Sequence, residues 1–458
     1  MLRIALRRTF VRTSVFLCAA LAAVSPALSQ SSASASPQTS DPQTSNKPSD
    51  AMPMNMDKRN MAQMNMGGPA QTLTENLLRH ATSGTDLEPN STAPPMLMQM
   101  HHDWMLMLHG QASIAEQQQS GPRGHDKLFS ANWFMPMAQR NWASSELTLR
   151  AMVSLEPATI SGRYYPELFQ QGETAFGKPI IDGQHPHNFF MEIAALYDYK
   201  PGEQTVLSLY AAPVGDPALG PVAFPHRASA SEDPLAPLGH HLEDSTHIAD
   251  EVLTGGLTWR KLRLEASGFH GREPGENRWI IAVGGLDSWS TRLTVAPGKD
   301  WTAQYSIGHL HSPEAQHPAE DVLRQTASIA CHHRWHAGSL DALALWGRNH
   351  TIDSPTNANG YLFEATTHLY DRHSIWTRIE NVDRTTDLLG AAAPPEETVI
   401  GRVQAFTGGY AHRLYSNKWS TYELGAQATF YNTPTPLRAL YGNHPAGVAA
   451  VLNIHLGK

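Results

Sequence analysis

The chain of 458 residues has only two cysteines, Cys18 and Cys331. Cys18 falls inside an N-terminal export signal, so the exported protein keeps a single thiol and no disulfide framework can hold it together. No later segment is apolar for the ~18 consecutive residues that a membrane-spanning helix needs. The net charge is −8 with both signs interspersed, which leaves no basic footprint for nucleic acid. Charged residues are 17% of the chain, few for a soluble protein, although a soluble all-β protein would share that composition. Glycine-rich nucleotide loops, haem motifs and the HExxH pattern of zinc hydrolases are absent from the sequence.

What is present begins with a secretory signal. Arg3, Arg7, Arg8 and Arg12 form a basic start, and an apolar run spans Val15 to Val24. Ala27-Leu28-Ser29 then offers small residues for a cut before Gln30. Three regions are expected: a signal peptide at 1–29, a disordered methionine-rich arm at 30–98, and a β-barrel at 99–458. Ser, Pro, Thr, Gln and Asn dominate Gln30 to Asp50 without apolar periodicity. Thr72 to His80 reads as one short helix within the arm.

From Asp103 onward, segments of alternating polarity recur between turn signals. Leu147, Leu149, Ala151 and Val153 alternate with Glu146, Thr148 and Arg150. Leu262 and Leu264 alternate with Arg263 and Glu265, and Trp289, Thr291, Leu293 and Val295 with Ser290, Arg292 and Thr294. A period of two with one apolar and one charged face is a strand between two unlike environments. Sixteen strands are expected, starting near 103, 127, 142, 189, 203, 248, 261, 285, 300, 321, 339, 359, 373, 397, 417 and 446. Every second connection is a tight turn, such as Lys200-Pro201-Gly202 or Ser416-Asn417-Lys418, and those between are longer, notably 157–188 and 213–247. Short turns at one end and long loops at the other predict an antiparallel transmembrane β-barrel of the outer membrane. An even strand count puts both termini, and hence the arm, on the periplasmic side. Trp104, Trp142, Tyr210, Trp259, Trp289, Trp301 and Tyr410 are expected in interfacial girdles, and Met105 and Met107 on the lipid face. Arg150, Arg263, Glu265, Arg292, Arg378, Glu380 and Arg402 are expected to face a water-filled or loop-plugged lumen.

Two groups of side chains carry metal chemistry. His185, His187, His240, His241, Asp244 and His247 lie on the long-loop side, in the runs QHPHN and HHLEDSTH. Imidazole and carboxylate together suit a borderline divalent ion such as zinc or copper(II). The competing reading is a loop network in which Arg272 and Arg278 pair Glu243, Asp244, Glu273 and Glu276. Met52, Met54, Met56, Met64, Met66, Met98 and Met100, with His101 and His102, form the second group. Thioethers are soft ligands that prefer copper(I) and need no deprotonation to bind. A surface lipid hydrolase built on Asp244, Ser245 and His247 is a third reading, disfavoured because loop neighbours rarely form a triad.

The runs QHPHNFFMEIAALY, HHLEDSTHI and GREPGENRW together resemble a widespread family of proteobacterial outer-membrane barrels, over most of residues 100–458. The arm is similar to the methionine- and histidine-rich arms of copper-resistance proteins. The resemblance implies a role in metal, often copper, handling and carries no established activity; the reading expected here is a porin-like, non-enzymatic barrel involved in metal handling, with copper as the candidate cofactor. Its partners would be outer-membrane lipids and metal ions. A general-diffusion or structural barrel without metal function is the alternative. One feature departs from the pattern: such barrels usually end on an aromatic residue, whereas this chain ends Ile454-His455-Leu456-Gly457-Lys458. Sixteen-stranded barrels are often trimers, so a homo-oligomer is compatible, though no residue identifies a subunit face.

Overall fold

The computed structural model describes residues 68–390 and 397–457. Its strands are β1 (Leu97–His101), β2 (Trp104–Gln119), β3 (Lys127–Trp142), β4 (Ser145–Val153), β5 (Tyr165–Ala175), β6 (Lys178–Gln184), β7 (Phe190–Gly202) and β8 (Thr205–Gly215). They continue as β9 (Ala249–Trp259), β10 (Leu262–His270), β11 (Ser288–Gly298), β12 (Trp301–Leu310), β13 (Val322–Trp335) and β14 (Gly338–Thr351). The last are β15 (Asn357–Leu369), β16 (His373–Thr385), β17 (Val399–Ser416), β18 (Ser420–Asn432) and β19 (Ala446–Leu456). β5 and β6 form a separate hairpin inside a loop, and β1 adds only a short pairing to the start of β2. The other sixteen pair antiparallel in sequence order, and β19 returns to β2 from Gly447↔Gln119 to His455↔Gln111. That pairing closes the barrel and leaves no free edge.

The barrel is inside-out relative to a soluble core. On β4, Glu146, Thr148 and Arg150 are buried while Leu149 is 45% exposed. On β10, Arg263 and Glu265 are buried while Leu264 is 58% exposed. Apolar side chains facing outward around a closed barrel make a lipid-facing belt. Trp142, Trp259, Trp301 and Trp419 are exposed beside the tight turns, as an interfacial girdle requires. Three expectations about facing are corrected. Tyr210 is fully buried, its hydroxyl donating to Glu192 at 2.7 Å, because β8 turns Leu207 and Leu209 outward instead. Met107 is buried with Met105 packed beside it, because β2 presents Leu106 to the outside. Arg402 points outward with Val403 and Ala405 inward, and it reaches along the wall to Asp383.

The lumen is filled from both ends. At the short-turn end, residues 69–96 fold into it as a looped segment, so the expected arm gives way to ordered structure over this stretch. Its helix Leu73–Leu77 is capped by the Thr72 side chain, which accepts from the Glu75 amide. Leu78 and Ser91 sit near the turns, bonded to Gln139 and Lys299, while Gly84 reaches inward to Glu192. Arg150 uses all five of its N–H donors here: two on Glu192 (2.8 Å each) and three on the carbonyls of His80, Thr82 and Gly84. Arg292 pairs with Asp86 and, at 3.0 Å, with Glu265. From the other end, residues 216–248 descend into the lumen. Arg227 bonds Asp244 and Glu364, Arg378 bonds Asp233, and Asn453 bonds Glu232. The stoppers meet where Ala228 donates its amide to Glu88 at 2.9 Å. These buried charges are tolerated because almost every one has an opposite partner or a backbone dipole against it.

Candidate metal centre in the long loops

Three long connections converge: 154–189 between β4 and β7, 216–248 between β8 and β9, and 271–287 between β10 and β11. They are stitched by their backbones. Ser154 donates to the Phe189 carbonyl (2.9 Å), and Phe189 donates to the carbonyl of Arg278 (2.7 Å). His185 and His187 flank Pro186 just after β6. His240 and His241 start a one-turn helix, His240–Glu243, and His247 ends the next turn before β9. That turn puts His240 and Asp244 on one face, four residues apart.

The six residues expected as ligands from these motifs come together. His185, His240 and His241 each offer a ring nitrogen within 4.8 Å of the others'. His187 and His247 stand beside them, ring centroids 5.3 Å apart, and His240 lies 5.3 Å from His247. In all five rings Nδ1 faces an acceptor. Nδ1 of His240 meets Asp244 at 2.6 Å, that of His241 meets Glu273 at 3.3 Å, and that of His187 meets Glu156 at 2.9 Å. Nδ1 of His185 faces the Pro186 carbonyl at 3.1 Å, and that of His247 the Asp244 carbonyl at 2.8 Å. A carbonyl or an ionised carboxylate can only accept, so each Nδ1 carries a proton, and in the neutral ring it is Nε2 that keeps the lone pair. The Nε2 atoms of His185, His187 and His247 are buried without a hydrogen-bond partner; that of His185 lies 3.0 Å from Glu173 but out of line.

Electrostatics fix the same state. Burial lowers the pKa of His185, takes that of His240 down to about 4, and drives that of His247 far down. In these three rings neutral imidazole, the ligating form, therefore prevails at neutral pH. Burial opposes ionisation of Asp244, yet Arg227 and His240 hold its carboxyl well below the usual range. Glu273 is likewise opposed by burial and held down to about 2 chiefly by His241. Glu243 behaves oppositely: burial and neighbouring Asp244 push its pKa far up, and neither carboxyl oxygen has a partner.

The surrounding network differs from the pairing expected of Arg272 and Arg278. Arg278 pairs with Glu173, and Arg272 donates to Ser312 at 2.9 Å. Asp244 takes Arg227 and Glu276 takes Arg163, because the loops fold across the lumen and not along their own sequence. Glu156, Glu173 and Arg227 carried no spacing signal, being brought in from separate turns. Ser245 accepts from Arg324 at 2.8 Å and is not bonded to a histidine, which leaves the hydrolase reading without a nucleophile–base pair. Met98, Met100, His101 and His102 are exposed on β1 and its turn, at the short-turn end and away from the loop histidines. Met52, Met54, Met56, Met64 and Met66 lie outside the described residues.

No family model matches the chain, and no curated protein matches it. Among solved structures, the barrel is similar to the anion-selective porin from Comamonas acidovorans, with 9% identity and a TM-score of 0.47 over 77% of this chain and 99% of that one. OprB of Pseudomonas putida gives 9% identity and a TM-score of 0.47, covering 78% of this chain and 94% of its own. The outer-membrane channel DcaP of Acinetobacter baumannii gives 8% and 0.43, covering 78% and 99%.

Proposed function

We propose that this chain is a porin-like outer-membrane barrel, plugged in the state described, that binds a divalent metal ion at its long-loop histidines. The observation that carries the reading is the set of five buried imidazoles, each with Nδ1 committed to an acceptor. Carboxylate–histidine and carbonyl–histidine pairs orient imidazoles for metal binding. His185, His240 and His241 would hold the ion, with Asp244 and Glu273 fixing the rings behind them. An all-nitrogen set of imidazoles favours zinc or copper(II) over calcium or magnesium. No reaction is assigned to the centre. Copper(I) collection by the methionines of residues 52–66, in the periplasm, is proposed alongside on sequence grounds.

The test is elemental analysis of the refolded full-length barrel after equilibration with zinc or copper(II) and gel filtration. One equivalent retained by the parent and lost in His185→Ala/His240→Ala/His241→Ala supports the centre. A parent that retains no metal sinks it and leaves a structural barrel as the better account.

A further inference from the structure

The sequence holds six methionines after residue 103, at 105, 107, 135, 137, 152 and 191. All six belong to one cluster on the wall formed by β2, β3, β4 and the start of β7. Met135, Met152 and Met191 are wholly buried there, and Met107 and Met137 nearly so. Register explains the convergence, since Met107 stands opposite Met137 and His109 opposite Met135. Methionine is a common filler of irregular gaps, but gap filling would scatter it. The other buried apolar clusters are built from Leu, Val, Ala, Phe, Ile and Tyr without one methionine among their residues.

Imidazole meets the thioethers at one point. His226, on the descending loop, lies with Nε2 2.8 Å from Sδ of Met152, and its Nδ1 is buried without a partner. Trp133 lies tilted against it with ring centroids 4.1 Å apart, and the His109 ring stands 6.1 Å from it, its own Nδ1 also unpartnered. Burial and the neighbouring histidines keep His226 neutral. Thioether sulfur and neutral imidazole, buried together, select a soft monovalent ion and disfavour hard divalent ones.

We propose that Met152 and His226, with Met135 and Met191 beside them, form a copper(I) site inside the lumen. The site shares no residue with the loop centre and stands whether or not that centre binds metal.

The experiment uses the full chain with Met52, Met54, Met56, Met61, Met64, Met66, Met96, Met98 and Met100 changed to Leu, so that neither the arm nor β1 contributes a thioether. Copper(I) is supplied anaerobically as its acetonitrile complex. Binding is read by competition against a chromogenic copper(I) chelator and by X-ray absorption at the copper edge. One copper(I) per chain with sulfur and nitrogen scatterers is expected. Adding Met152→Leu and His226→Gln should abolish it, while adding His185→Ala/His240→Ala/His241→Ala should not. Leu for Met conserves volume, and unchanged heat-modifiable gel mobility verifies that the barrel folds. The proposal is overturned if the arm-silenced chain binds no copper(I), or if the Met152/His226 variant binds as its parent does. Loss in the loop variant overturns it too, because the copper would then belong to the loop centre.

Discussion

Arg150 is one of the side chains that hold the short-turn stopper, beside Arg292 and Asp198, and it makes three of the stopper's contacts, so replacing it tests the stopper directly. The Arg150→Met substitution removes three hydrogen bonds from a charged donor to the carbonyls of His80, Thr82 and Gly84. At the low end of about 1.5–3 kcal/mol for each such bond, the seat weakens by about 4.5 kcal/mol. With a factor of ten for each ~1.4 kcal/mol, the unseated population rises on the order of 10³-fold. The variant also strands Glu192 as a buried charge, which penalises the barrel whether or not the stopper is seated. Arg150→Met/Glu192→Gln removes that second effect. Hydrogen–deuterium exchange over residues 79–88, read by mass spectrometry on the refolded barrel, reports the open fraction. Both variants should exchange on the order of 10³ times faster there, with β14 and β15 unchanged. A change under about tenfold would refute the assignment of Arg150 as the anchor.

Gly172 has φ +144°, and a Cβ added there would stand 2.6 Å from Nε2 of His241. The Gly172→Ala substitution should therefore displace that ring and weaken metal binding by about 10–100-fold, the usual cost of disturbing a ligand's support, measured by zinc titration of the folded barrel. On the lipid face, Leu293→Arg should destabilise the barrel by about 2–4 kcal/mol in urea unfolding from vesicles, while Trp142→Phe at the girdle should change it little. Glu314, His317, Asp387 and Glu397 form a loop cluster in which burial, reinforced by neighbouring carboxylates, raises Glu314 to about 7 and Glu397 to about 8. Acids with raised folded values stabilise the loops most below the ordinary carboxylate range, and that contribution is lost as pH rises through 7–8. Exchange over residues 312–320 should consequently accelerate between pH 5 and pH 9, beyond the intrinsic pH effect, and a flat corrected profile would count against the cluster.

The sixteen observed barrel strands start within three residues of the positions read from polarity alternation. That signal is strong because one face meets lipid and the other a polar interior, so each strand carries the contrast in its own sequence. It fails where both faces are apolar. On β2, Met105 and Met107 alternate with Leu106 and Leu108, and nothing local says which pair faces out. Residues 69–96 mislead for the converse reason. A stopper inside a polar lumen is held by carbonyls, carboxylates and guanidinium groups, so its composition looks like that of an unfolded tail. Within the metal centre, the histidines announce themselves by their spacing in two motifs. Their supports do not, since Glu156 reaches His187 across thirty-one residues and Glu273 reaches His241 from another loop.

The short-turn stopper is part of the same chain as the wall it closes. Its seal is thus a unimolecular equilibrium, indifferent to how much protein the membrane holds and sensitive only to what happens along the strand. It enters near Leu78, turns at Gly84 and leaves near Ser91. A tension applied on its N-terminal side would load the Arg150 contacts one after another, at His80, then Thr82, then Gly84. Bonds broken in succession yield to far less force than the same bonds broken together, so this cork would open by being unzipped and resist being pushed.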